Sequence, residues 1–415
     1  MDSAKQDKKN IIWNGIAAIV QACQSVVTVM VVTRIDGLNI AGAVTIAFSI
    51  ANLFLTLGKF GMRNYQIAHE GFDEDFDKFK TSRIITTAMM AGAIIIYLLI
   101  RLITKTYSLE KIGIVFGICF WYIIDSFEDV YIAGFQSRGK LDIGNKVFVA
   151  RWVLTLLTFI LIELFSKKIF IAILVSCIVA LVVEVIGLLY YSRKYKKIEC
   201  QSSLSVKELL VKNIPLCVAA FVYFYMTNIS RYAIDNMLDD KTQAIYGYIA
   251  MPVFVISLLS NIIYQPQLMY YIEALRNGKI KEVKTRIKKQ ILIIGALLAF
   301  CLVVAFFIGI PVLSWLYHVD LKAYKMHMLI ALLGSAFLAI GTFISTILIL
   351  MNKLKLNMFL YIGASIIGTV LIFILTAKFK MTGAVIGFLI TMIISAISFV
   401  VAIKKKLDNY TPEVK

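Results

Sequence analysis

From Ile11 to Ile403 the chain alternates apolar runs of roughly 20 residues with short charged breaks. An α-helix rises 1.5 Å per residue, so about 20 residues cross the ~30 Å hydrocarbon core of a bilayer. The pattern predicts about twelve transmembrane helices, over 11–33, 41–60, 84–103, 112–136, 144–165, 169–191, 213–235, 243–271, 290–317, 326–350, 356–377 and 381–403. The eighth run is the longest and contains Pro252 and Pro266, so it is expected to tilt or bend. The first run is too long for the apolar part of a signal peptide and reads as an uncleaved helix. The expected fold class is an all-α polytopic membrane protein.

Composition sharpens that picture. Of the 415 residues, 60% are hydrophobic, and the mean hydropathy is +0.84. Soluble domains are about 45–50% apolar, so a soluble enzyme is excluded. The net charge of +18 does not imply nucleic acid as a partner, because Lys and Arg fall in short clusters at helix ends. These clusters read as topology signals. An even number of spans puts both termini on one side, and placing that side in the cytoplasm leaves about 30 basic residues inside and about 11 outside. Arg151 and Arg231 remain within the membrane. The longest inside break between spans, Ser192 to Lys212, divides the chain into two sets of six helices with the same orientation, an arrangement of parallel repeats. The lobes are expected at 1–200 and 201–415.

Several chemistries find no support. The six cysteines (Cys23, Cys119, Cys177, Cys200, Cys217 and Cys301) are scattered without a CxxC pair and read as packing residues. His69, His318 and His327 lack metal-ligand spacing, so no metal site is assigned. No phosphate-binding glycine loop occurs, so no nucleotide cofactor is expected, and movement of a cargo would need an ion gradient or a sink on the far side.

Function then rests on polar residues inside the apolar runs, which are costly there and usually face a cavity or one another. The fourth run carries Asp125, Glu128 and Asp129 on one helical face. Asp129, Arg151 and Glu184 each lie seven residues, about 10 Å, from the inner end of their helices. These five residues are expected to form one polar layer in which Arg151 neutralises one acid. The surplus carboxylates are either protonated or hold a cation, which makes the layer either a self-satisfied ion-pair network or an H+ or Na+ coupling site. Arg231, near the outer end of the seventh run, shares a face with Thr227, Asn228 and Asp235. It either pairs with Asp235 or presents its planar fork to an anion. Arg34 closes the first run at its outer end and Arg63 the second at its inner end, as anchoring cations or as phosphate contacts. Most tyrosines read as interface belts and packing, although Tyr122, Tyr223, Tyr225 and Tyr232 lie beside polar faces where a sugar ring could stack.

Two stretches carry a family resemblance. RIDGLNIAGAVTIAFSIANLFLTLGKFGMRNYQ, from Arg34 to Gln66, resembles the first hairpin of the Wzx-like polysaccharide repeat-unit flippases of the MOP flippase superfamily. NISRYAIDNML followed by IYGYIAMPVFVISLLSNIIYQPQL is similar to that family's seventh and eighth helices. The resemblance implies two six-helix lobes, MATE-like, around a central cavity that opens alternately to each side of the bacterial inner membrane. It implies an undecaprenyl-pyrophosphate-linked oligosaccharide as cargo, with Arg34, Arg63, Arg231, Asn228 and Tyr232 as substrate-binding residues. A polysaccharide polymerase and a chain-length regulator are the implied partners. A cation-coupled multidrug exporter of the same superfamily remains the alternative. A membrane enzyme acting on the lipid-linked sugar is disfavoured by the short outer loops.

Overall fold

The computed structural model describes residues 2–69, 76–194 and 205–410, and all the regular structure among them is helical. The chain divides into two compact units, Met1–Phe221 and Val222–Lys415. The expected lobe junction at 200/201 lies outside the described residues, as do Cys200 and parts of the breaks after the second and sixth runs.

In the first unit the helices are α1 (Asp2–Ile35), α2 (Leu38–Lys59), α3 (Met62–His69), α4 (Phe76–Ile103), α5 (Leu109–Ser137), α6 (Leu141–Ser166), α7 (Ile169–Lys194) and the first half of α8 (Val206–Met237). The unit is built around α5, which packs on α2, α3, α4, α6 and α7. Ser108 caps its first turn, its hydroxyl accepting the Lys111 N–H at 3.2 Å. The outer helices show apolar faces, with Ile84, Ile96 and Leu99 on α4 and Leu157, Leu161 and Leu164 on α6 among the large exposed side chains. Such a surface would be costly in water and is what hydrocarbon requires. The chain is a multi-pass membrane protein.

Helix α2 ends at Phe60, in the left-handed region at φ 51°, followed by Gly61 at φ 66°. That pair reverses the chain and starts α3 three residues after Lys59, which turns Arg63 back towards α5. Gly61 also has no room for a side chain: a Cβ would stand 2.9 Å from Leu216 Cβ of α8. The FGM of the first motif is therefore a turn whose glycine serves both conformation and packing.

The second unit contains the rest of α8, then α9 (Asp240–Ile249), α10 (Val253–Tyr264), α11 (Leu268–Arg276), α12 (Ile280–Val304), α13 (Ile310–Tyr317), α14 (Lys325–Leu350) and α15 (Leu354–Asp408). The eighth run bends as expected: α9 and α10 are separated at Ala250–Pro252, and a 3-10 turn at Gln265–Gln267 precedes α11. Between α12 and α13 a π-helical turn, Ala305–Gly309, accommodates the missing N–H of Pro311.

Ten helical segments among the described residues are long and apolar enough to cross a membrane by that measure alone, against about twelve expected. Two details account for the difference. Helix α5 is missing from the ten because Asp125, Glu128 and Asp129 sit in its middle. Helix α15 counts once, but Lys380 has φ 53° and ψ −134°, which breaks the helix there. Its halves fold back as a hairpin: a Cβ on Gly383 would lie 1.9 Å from the Leu375 carbonyl oxygen, and one on Gly387 would lie 2.8 Å from Ile372. The two pairs add to nearly the same residue total, as antiparallel packing demands.

Candidate functional site

All five residues expected in the polar layer are buried within the first unit, on α5, α6 and α7. Arg151 of α6 is fully buried. Its Nε and Nη2 donate to Glu128 Oε2 at 3.0 and 2.9 Å, Nη2 also reaches Asp125 Oδ1, and Nε stands 3.6 Å from Glu184 Oε2 of α7. One guanidinium thus serves three carboxylates rather than one. Trp152 Nε1 donates to Asp125 Oδ1 at 2.9 Å. The Tyr191 hydroxyl lies 3.1 Å from both Glu128 Oε1 and the Gly144 carbonyl, with one proton to give. Asp125 Oδ2 and both Glu184 oxygens are buried without a hydrogen bond.

Asp129 stands one helical turn away and belongs to a different group. Arg83 Nη2 of α4 donates to its Oδ2 at 2.9 Å, Arg63 Nη1 of α3 to its Oδ1 at 3.1 Å, and Lys59 Nζ of α2 is 3.9 Å from Oδ1. Arg63 also donates from Nη2 to Gln136 Oε1 at 2.8 Å. Arg83 donates from Nη1 to the Gly58 carbonyl at 2.9 Å, an acceptor shared with the Thr86 hydroxyl. The layer therefore has two poles, one cation among three acids and one acid among three cations, and balances when all eight are charged. The expected single layer is thus split: the cations that meet Asp129 come from α2, α3 and α4, whereas Arg151 of α6 serves Asp125, Glu128 and Glu184. Arg63 is not a lone cation at the end of a helix, because the Phe60–Gly61 turn sets it against Asp129.

A cavity of about 100 Å³ joins the poles, lined by Asp125, Asp129, Lys59, Arg63, Asn14, Gln21 and Asn145 among others. That volume is room for a few waters at about 30 Å³ each. Beside it, Tyr122 accepts from Gln24 Nε2 at 3.1 Å and Asn52 Nδ2 at 3.3 Å, so its hydroxyl is held within the protein. An apolar cluster of the same unit includes Phe79, Val130, Phe135, Tyr191 and Leu209.

Arg83 carries no signal in the sequence beyond its place just before the third apolar run. Helix α4 begins at Phe76, so Arg83 lies two turns inside it and is 1% exposed. Glu163 was missed as well. It interrupts the apolar FILIELF of α6, which could have revealed it, and it is fully buried. Asp36, in the turn between α1 and α2, faces it; burial pushes the Asp36 carboxyl above its usual range, the hydrogen bond with Glu163 opposes this, and Glu110 adds to it.

The expected substrate contacts fall in both units. Arg34 is exposed at the end of α1, and Arg63 follows α2, whose 22 residues put the two about 33 Å apart. Arg231 of the second unit lies half-buried beside Tyr246, Tyr232 and Tyr317. Tyr232 stacks on Tyr225 with ring centres 5.6 Å apart, and Tyr317 on Tyr248 at 4.0 Å. Asn228 is buried, and its amide donates to the Phe224 carbonyl of its own helix at 2.9 Å.

Residues 8–268 match the family described as polysaccharide biosynthesis protein. The capsular polysaccharide biosynthesis protein CapF of Staphylococcus aureus is 23% identical over 283 residues, covering 67% of this chain and 71% of that protein. Among solved structures, an inward-facing multidrug resistance MATE family transporter of the MOP superfamily matches 98% of this chain and 100% of its own at TM-score 0.70 and 12% identity. The lipid II flippase MurJ in an inward closed conformation matches with the same TM-score and identity, covering 95% of this chain and 87% of its own.

Proposed function

The chain belongs to the polysaccharide biosynthesis protein family, and from that premise we propose that it is a flippase. Its cargo in this reading is an undecaprenyl-pyrophosphate-linked oligosaccharide, moved by alternating access from the inner to the outer leaflet of the bacterial inner membrane. Both termini are cytoplasmic, as the distribution of basic residues favours. A polysaccharide polymerase on the far side consumes the product, with a chain-length regulator as a further partner.

The observation that carries the reading is the two-pole layer. It is a charged network buried deep in a membrane unit, with a water-sized cavity touching both poles. Its acid-rich pole supports coupling to protons rather than Na+, because Arg151 already occupies the space between the carboxylates that a metal cation would take. Arg231 among tyrosines supports an anionic, sugar-bearing cargo: a guanidinium fork suits pyrophosphate, and ring faces suit sugars.

The test is surface polysaccharide made by a strain lacking the native gene and carrying variants at matched membrane abundance. Arg231→Lys is expected to impair production and Arg231→Ala to abolish most of it. Arg63 is left out of the double variant because its loss would also disturb Asp129. Full polysaccharide from the Arg34→Ala, Arg231→Ala double variant would exclude arginine-mediated recognition and, if drug efflux were retained, would favour a multidrug exporter.

A further inference from the structure

Within the second unit, α11 and the first turns of α12 enclose a cavity of about 540 Å³, within the size range of small-molecule sites. Its wall on α12 is a helical stripe that holds Lys281, Glu282, Thr285, Arg286, Lys289, Gln290 and Ile293, and α11 contributes Tyr270. Three features of this cavity point to one ligand chemistry.

The first is charge. Lys281, Arg286 and Lys289 line the cavity, and none of them makes an ion pair among the described residues. The one lining acid, Glu282, already has partners: Lys279 Nζ lies 3.5 Å from Oε1, and Tyr270 donates its hydroxyl to Oε2 at 3.1 Å. The second is orientation. The Arg286 guanidinium lies 3.5 Å over the Tyr270 ring, and its Nη1 is 3.5 Å from Gln267 Oε1, so the plane of its fork is set before any ligand arrives. The third is depth. From Ile291 to Tyr317 the chain has no charged residue, so the stripe runs from the charged start of α12 into its membrane-crossing part, where Ile293 lines the cavity. Cations at the rim and an aliphatic side chain below match a phosphate headgroup joined to a hydrocarbon chain.

We propose that this cavity is a binding site for the phosphate headgroup of an anionic membrane lipid. The site is separate from the charged layer of the first unit and needs no transport to be seen. It is tested by equilibrium retention of lipid on the purified full-length protein in detergent, read by native mass spectrometry with dioleoylphosphatidylglycerol and, in parallel, dioleoylphosphatidylcholine. The phosphatidylglycerol adduct is expected to dominate. Lys281→Gln and Lys289→Gln each weaken it about fivefold, the contribution of one basic side chain near a lipid surface, and Arg286→Gln weakens it further because the pre-set fork goes with the charge. Glu282→Gln removes the only lining acid and is expected to tighten retention, a gain that misfolding cannot imitate. Equal retention of the two lipids, or retention unchanged in both the triple Gln variant and Glu282→Gln, overturns the proposal. Complete displacement of phosphatidylglycerol by millimolar inorganic phosphate also overturns it, in favour of a soluble anion.

Discussion

At the scale of single residues, the consequential feature is the unequal sharing of charge along one turn of α5. Asp125 and Glu128 share Arg151 with Glu184, whereas Asp129 has Arg63, Arg83 and Lys59 to itself. Neutral amides at the two positions should therefore behave differently. Asp125→Asn with Glu128→Gln keeps shape and leaves Arg151 its Glu184, so the protein is expected to fold but to lose pH-gradient-dependent uptake of lipid-linked oligosaccharide into proteoliposomes. Normal uptake that still responds to collapse of the gradient would show the layer to be structural. Asp129→Asn leaves a buried Arg83 without its carboxylate, and stranding one member of a buried pair costs about 3–5 kcal/mol, so lost thermal stability in detergent is the expected result. The Asp36 turn gives a signed pH effect. Its carboxyl is raised on folding, so the folded chain binds that proton more tightly than the unfolded one. The associated stability is present at low pH and is lost as pH rises from the ordinary carboxylate range through the folded value. Asp36→Asn is expected to make the melting temperature less sensitive to raising the pH from about 4 to about 7 than it is in the parent, as followed by intrinsic fluorescence.

Among the elements, the α15 hairpin gives the clearest contrast between glycines. Gly383 faces the Leu375 carbonyl where a Cβ would lie at 1.9 Å, whereas nothing lies within 4 Å of a Cβ built on Gly363 in the same helix. Gly383→Val must push the two halves apart, and overpacking of this kind costs about 1–3 kcal/mol or more. Gly363→Ala removes only the helix penalty of glycine, a gain of up to about 1 kcal/mol. Opposite shifts of melting temperature for the two variants in detergent are the expected outcome; equal shifts would show that the halves do not meet at this point. Much of this level was legible from apolar run lengths, because a backbone in lipid must satisfy its own hydrogen bonds and helices are the local way to do so. The interruptions were legible where proline or charge marks them: Pro252 and Pro266 announced the break of the eighth run, and the break expected between the runs ending at 377 and starting at 381 falls at Lys380.

For the whole molecule, orientation is the property most open to direct measurement. With both termini and the breaks near Lys78, Lys207 and Lys284 inside, single cysteines placed there in a cysteine-free background are expected to resist an impermeant thiol reagent in intact cells. Labelling at two or more of these places would reverse the orientation, and with it the direction assigned to the cargo.

What the sequence determined by itself is what depends on neighbouring residues: the number and length of the spans, the clusters of bases at their ends, and the depth of Asp125, Glu128, Asp129, Arg151 and Glu184 along their helices. Depth follows from counting at a fixed rise per residue, and it was enough to place the five in one layer. Which cation meets which acid was decided by the tertiary structure alone. Partnership depends on how each helix is rotated about its axis and on which helices adjoin it, and neither is a property of a single run. Arg83 stands just before an apolar run in the sequence but two turns inside α4 in the structure, and Arg63, at the inner end of the second run, is aimed at Asp129 by the Phe60–Gly61 turn. Glu163 and Asp36 lie 127 positions apart in the sequence, and only the packing of α6 against α1 brings their carboxyls together.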